Sequence, residues 1–150
     1  MKFGRLRTLR GQLEKTGLGP AKVNLVVADG LINYGLRIMR FRIWPENTNA
    51  SFSPQHYQAI LSLDPISAAS NMNAGTNAQI AWAYSEATVN GVHQADREII
   101  DPDHIVNRDL FLTLAGPTTS DTWNYLIETQ VVELSDDEAI ITIIKETSQS

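Results

Sequence analysis

His104-Ile-Val-Asn-Arg-Asp-Leu-Phe-Leu-Thr-Leu114 reads as a strand by its alternation. Val106, Leu110, Leu112 and Leu114 fall on one face. Ile105, Asn107, Asp109, Phe111 and Thr113 fall on the other, which is apolar only in part. Side chains two apart share a face of a strand, so the first set is the one to bury. Ala115-Gly-Pro-Thr-Thr-Ser-Asp121 follows, a run of small, turn-prone residues that cannot continue a strand. From Trp123 to Leu134 the alternation resumes, with Tyr125, Ile127, Thr129 and Val131 on one face. Together the arms predict one long hairpin, His104 to Leu134, each arm of about ten residues spanning ~35 Å at ~3.3 Å per residue. An isolated hairpin is marginal in water, so other strands are expected to cover this one.

Candidate strands lie upstream. Lys22 to Ala28 is β-branched and closed by Asp29-Gly30, a favoured turn dipeptide. Leu36 to Trp44 alternates with a slip: Met39, Phe41 and Ile43 point one way, Leu36 and Ile38 out of phase with them. One extra residue near Ile38-Met39 repairs the register, as a β-bulge does. His56 to Asp64, Gln79 to Val89 and Arg97 to Ile100 complete the set, with Asn90-Gly91 as the strongest short hairpin signal. Residues 66–78 are small and polar and read as a long loop. Ser135-Asp-Asp-Glu138 is a capping box before Ile140, Ile141 and Ile144, which predicts a helix of about ten residues with acids at its positive end. Seven or eight strands and one short C-terminal helix make the expected fold mainly β, an antiparallel β-sandwich or jelly roll.

The first 20 residues stand apart. Lys2, Arg5, Arg7, Arg10 and Lys15 are interleaved with Phe3, Leu6, Leu9 and Leu13, and Gly4 and Gly11 weigh against a helix. Residues 1–20 therefore read as a basic, extended N-terminal arm, and 21–150 as a single sandwich domain. The charge layout singles out the same region. Residues 1–42 hold nine of the twelve Lys and Arg against only Glu14 and Asp29, a balance of +7 inside a chain of net charge −5, and the remainder balances at −12. Such a split suggests either a basic segment meeting an anionic partner or acidic neighbour, or two halves that neutralise each other within one fold. On the first reading Arg5, Arg7, Arg10 and Lys15 contact a neighbouring subunit or another anionic partner. The arm is then expected to serve assembly more than the stability of the domain.

Composition and motifs exclude more than they establish. There is no cysteine, hence no disulfide, thiolate chemistry or Cys-ligated zinc. The start lacks the apolar core of a secretory signal, and nowhere do ~18 apolar residues run together. The expectation is a soluble protein with no membrane contact. Asp101-Pro-Asp103-His104 with Asp109 is the densest polar cluster, but no Ca²⁺-loop spacing accompanies it and a turn is the simpler reading. His93, Asp96 and Glu98 match no metal or acid–base motif. Neither a serine-hydrolase elbow nor a phosphate loop occurs. Trp82, Tyr84, Trp123 and Tyr125 suit an aromatic platform for sugars or bases, or a sandwich core. No catalytic residue, cofactor or metal is expected.

Ile100-Asp-Pro-Asp-His-Ile-Val-Asn-Arg-Asp-Leu110, Trp123-Asn-Tyr-Leu-Ile-Glu128, Ser135-Asp-Asp-Glu-Ala139 and Ile144-Lys-Glu146 span the last third of the chain. There the sequence resembles small virion structural proteins of environmental viruses, with echoes at Asp29-Gly30 and Asn33-Tyr-Gly35. The resemblance implies a small β-sandwich capsid or capsid-decoration subunit, made in the host cytoplasm and ending in the virion. It implies partners that are copies of itself or other virion proteins, and no catalytic residues. The basic arm opens the possibility of nucleic acid, although it lacks the dense run of a genome-coating tail. The alternative is a carbohydrate- or nucleic-acid-binding β-sandwich module.

Overall fold

A computed structural model of the chain describes residues 1–16, 19–25, 33–46, 55–66, 72–76, 78–87, 94–116 and 121–148. Asp29-Gly30, Asn90-Gly91, His93, residues 67–71 and 77 of the 66–78 stretch, and the strand ends at 26–28 and 88–89 lie outside the described residues. The strands are β1 Lys2–Lys15, β2 Ala21–Leu25, β3 Tyr34–Pro45, β4 Gln55–Ser62 and β5 Gln79–Ala87. After them come β6 Gln94–Ile100, β7 Ile105–Val106, β8 Leu110–Ala115 and β9 Asp121–Glu133, then helix α1 Asp136–Ser148. They form two antiparallel sheets, sheet A in the order β1-β9-β3-β7 and sheet B in the order β2-β8-β4-β5-β6.

That order has a simple logic. β1 lies beside β9, β2 beside β8, β3 between β9 and β7, and β4 beside β8, so early strands neighbour late ones. A long antiparallel ribbon rolled up on itself gives this arrangement, the jelly roll, with β6 added at one edge. Leu13, Phe41, Ile43, Trp123 and Ile127 from sheet A meet Tyr57, Leu61, Leu110, Leu112 and Leu114 from sheet B in one buried core. The rings of Tyr57 and Trp123 join the two sheets, with centroids 4.1 Å apart and planes tilted by 36°.

The expected His104–Leu134 hairpin does not form. β8 pairs with β2 and β4, while β9 pairs with β1 and β3, so the two arms lie in opposite sheets. Alternation identifies the face that must be buried but not the sheet in which a strand finds its neighbours. In a sandwich, two amphipathic arms satisfy each other across a core ~10 Å thick as well as they do edge to edge. The first arm is itself divided. Ile105–Val106 pairs with β3, and the chain then passes to sheet B through Asn107, Arg108 and Asp109. An ion pair of 2.8 Å from the Arg108 guanidinium to Asp64, just beyond β4, ties this crossing down.

The slip read in the Leu36–Trp44 segment is a β-bulge. Ile38 pairs with Thr129 and Arg40 with Glu128, leaving Met39 as the extra residue. Leu36, Ile38, Phe41 and Ile43 consequently all face the core.

The N-terminal segment is extended, as expected, but it is not a separate arm. β1 pairs with β9 from Lys2 to Lys15, with a register shift between Phe3 and Leu6. Its two halves differ in burial. Leu13 and Lys15 are buried and Leu9 packs against the core, whereas Lys2 through Thr8 are exposed on both faces. Gly11 lets the strand lie flat on the Tyr125 ring, since a Cβ there would sit 2.6 Å from the phenol oxygen. Burial pushes the pKa of that phenol up.

The capping box predicted at Ser135 is present. The Ser135 N–H donates to Glu138 Oε1 at 3.2 Å and the Glu138 N–H to Ser135 Oγ at 3.3 Å. α1 runs three residues past the expected ten. Ala139 packs with Ile105, Val132 and Leu134 in a cluster of their own, on the outer side of sheet A, while Ile140 and Ile141 are exposed. The side chain of Ile144 lies outside the described residues. Glu138 Oε1 also accepts from the Met1 ammonium at 2.9 Å. That ammonium first, and Ser135 next, hold the Glu138 carboxyl below the usual glutamate range. A depressed folded-state pKa means that the contribution is present above the unfolded value and lost as pH falls through the folded one. Acidification below the ordinary glutamate range should therefore loosen the start of α1 before the sheets open. Amide exchange along the helix, followed against pH, checks this; protection of residues 138–142 that is unchanged down to complete protonation would contradict it.

Candidate binding cleft beside a basic sheet

The sequence asymmetry becomes a spatial one through strand order. β1 carries Lys2, Arg5, Arg7, Arg10 and Lys15 against Glu14, and β3 carries Arg37, Arg40 and Arg42 with no acid. Both flank β9 in sheet A. The register sets side chains in rows on the outer face of this sheet: Arg10–Leu126–Arg42, Thr8–Glu128–Arg40 and Gln12–Asn124–Trp44. Arg40 reaches Glu128 at 3.6 Å, and Gln12 Nε2 donates to Asn124 Oδ1 at 2.9 Å. Neutralisation within the fold is thus partial. Contacts such as Arg40–Glu128 and Met1–Glu138 join the basic and acidic halves, but Arg10 and Arg42 remain solvent-exposed on one face.

One edge of that face opens into a cleft. Past Arg37, β3 has no strand partner on the side away from β9 among the described residues, because β7 pairs only with Leu36 and Arg37. A side chain from β6 fills part of the gap. Glu98 Oε2 accepts the Phe41 N–H at 2.8 Å, and its Oε1 lies 3.9 Å from Arg42 Nε. Around this contact is a cavity of about 380 Å³ lined by Phe41, Arg42, Ile43, Trp44, Tyr84, Arg97 and Glu98. Two guanidiniums, one carboxylate and three aromatic side chains, of which Trp44 is the exposed one, give it a cationic, stacking-competent wall. Its volume is that of a small-molecule or single-residue site.

The residues singled out in the sequence fall differently. Arg5, Arg7 and Arg10 are exposed along β1. Lys15 departs from them: it is 1% exposed and opposite Asp121 in the register, so the surface that the three arginines present does not include it. Of the aromatic set, Trp123 and Tyr125 are in the sandwich core, as their period suggested. Trp82 is also buried but lies outside the inter-sheet core, with Ile60 under Ile66, Met72 and Ala115, and its Nε1 donates to Gln79 Oε1 at 2.9 Å. Only Tyr84 reaches the cleft. The exposed indole is Trp44, which the sequence reading used only to mark the end of a strand. The signal was present in Arg40-Phe-Arg42-Ile-Trp44, whose alternation sets two cations and an indole on one face.

Asp101 and Asp103 form a turn, with the Asp103 N–H donating to Asp101 Oδ1 at 3.0 Å. Among the described residues no group of three His, Asp or Glu is placed to hold a metal ion. Of the trio His93, Asp96 and Glu98, only the Glu98 side chain is described, and it faces β3. No helix among the described residues is long and apolar enough to cross a membrane. No protein-family model matches the chain, and no curated protein matches it in sequence.

Proposed function

We propose that this chain is a structural subunit of a viral particle, a capsid or capsid-decoration protein that associates with copies of itself or with other virion proteins. The observation that carries this reading is the rolled strand order with β1 at an open edge. Jelly rolls serve viral shells, lectins and cupins alike, so the fold alone does not choose among them. What favours assembly is the outer half of β1. An edge strand presents unpaired N–H and C=O groups, and proteins guard it with charges and bulges. β1 has both devices, in Arg5, Arg7 and Arg10 and in the shift between Phe3 and Leu6. Guarding does not account for Phe3 at 53% exposure and Leu6 at 72%, which place apolar surface beside that edge. A neighbouring subunit with an acidic surface would cover these side chains and pair the arginines at once. The role is non-catalytic, and its setting is the virion.

Light scattering on the eluting full chain, with negative-stain imaging, tests the proposal. Multimers are expected at low salt, with loss of association near ~1 M salt, where the screening length falls to ~3 Å. A monomer at every concentration and salt, which also fails to bind shell proteins of its source, would remove the basis for the reading.

A further inference from the structure

We infer that the cleft between β3 and β6 is a binding site for single-stranded nucleic acid, with a base stacked on Trp44 and phosphates held by Arg42 and Arg97. The cleft itself contains no β1 residue and does not involve Arg5, Arg7 or Lys15; Arg10, at the far end of the track, is the one residue shared with the β1 surface. Three observations converge on it. Trp44 is 38% exposed beside two guanidiniums, although a tryptophan at the end of a sandwich strand is ordinarily buried. Tyr84 also lines the cleft. The cleft also lies at the end of a longer cationic track, since Arg10 and Arg42 flank Leu126 in one row and Arg40 stands in the next.

The dimensions fit a strand of nucleotides better than a small anion. Arg10 and Arg42 are two strand spacings apart, ~10 Å, and Arg40 is ~7 Å along β3 from Arg42. A single phosphate or carboxylate would engage one of these groups, whereas a chain of phosphates engages them in series. An acidic peptide would also satisfy the guanidiniums, but it would leave the Trp44 and Tyr84 faces without a stacking partner. Bases supply that partner whatever their sequence, because every base has a π-face. Glu98 fits as a positioning residue. Its contact with the Phe41 N–H fixes the carboxylate on the β3 edge, and at 3.9 Å it steers Arg42 without forming a close ion pair.

The test uses the full chain and a labelled oligothymidylate of about 15 nucleotides, near the upper end of single-domain site sizes. Fluorescence anisotropy should report binding at low salt. Trp44→Ala should weaken it about tenfold, the loss of one stacked base. Arg42→Ala combined with Arg97→Ala should weaken it further and make the slope of log K against log salt shallower by about 1.4, two phosphate contacts on a single strand. Should the double variant fold poorly, the wild-type chain still decides. Of its three tryptophans, Trp82 and Trp123 are buried, so bound DNA should quench Trp44 emission and leave Trp44→Ala without that change. Absence of binding at low salt overturns the inference, as does binding that the variants leave intact. Oligoglutamate bound as tightly as the oligonucleotide overturns it in favour of an acidic protein partner.

Discussion

Deleting residues 2–15 is expected to unfold the domain, while deleting residues 2–6 alone should leave its melting temperature within a few degrees. The difference follows from where β1 stops being covered. Beyond Leu9 the strand is built into the sandwich: Leu13 is buried, Lys15 is buried, and Gly11 lies flat against Tyr125. Removing one buried leucine side chain costs ~2–5 kcal/mol, against a total of ~5–15 kcal/mol for a typical domain. The full deletion also takes the backbone partner from β9, the strand through which β1 and β3 are joined. β9 would become an edge with Trp123, Tyr125 and Ile127 uncovered along one side. Residues 2–6 have no comparable packing, since all are exposed, and the cation–π contact of Phe3 with Arg37, at 5.5 Å, is worth ~0.5–1 kcal/mol at an exposed site. Urea unfolding of both truncations separates the two halves. The shorter truncation should also lose salt-sensitive association. A folded, cooperative protein lacking residues 2–15 would mean that β1 is dispensable to the sandwich.

The strand was legible only as an extended segment. Its pairing was hidden because alternation reports burial, and most of β1 is buried on neither face. An exposed edge strand and a free arm share one sequence signature: mixed charge, scattered apolar residues and glycine. The failed hairpin has a different cause. Alternation puts Leu110, Leu112 and Leu114 in β8 and Tyr125 and Ile127 in β9 on the faces that are buried. What no local pattern carries is the sheet to which each strand belongs. Pairing there is decided by Ala21–Leu25 and Gln58–Ser62 for β8, and by the N-terminal strand and β3 for β9, all distant in sequence.

Features fixed within a few residues were readable. The Met39 bulge follows from a phase slip that only one extra residue can repair. The Ser135–Glu138 box needs only four consecutive residues. The cleft sits between these extremes. Arg42 and Trp44 share a face by local alternation, yet Arg97 and Glu98 reach them only because the rolled topology brings β6 against the open side of β3. Strand order likewise turned a linear charge asymmetry into a cationic sheet face, since it placed β1 and β3 in the same sheet.

Trp123→Ala should lower stability by ~3–5 kcal/mol, the range for emptying a large aromatic site in a core. Trp123 is 3% exposed, on central strand β9, and its ring lies against Tyr57 of the opposite sheet. Truncation therefore removes both packing volume and a ring–ring contact that bridges the layers. A loss of this size is a large fraction of a typical domain's stability, so part of the population is expected to be unfolded at physiological temperature. Trp123→Phe refines the argument. The indole N–H has no acceptor among the described residues, so phenylalanine discards a donor that the core does not satisfy and keeps much of the ring. Its cost should be well below that of alanine. Trp44→Ala, at an exposed position, should move the urea midpoint little, and this contrast separates the core indole from the one in the cleft. Linear extrapolation of urea unfolding gives all three values if the slope stays constant. Equal midpoints for Trp123→Ala and the wild type would remove Trp123 from the core and restore the aromatic platform as a live reading of β9.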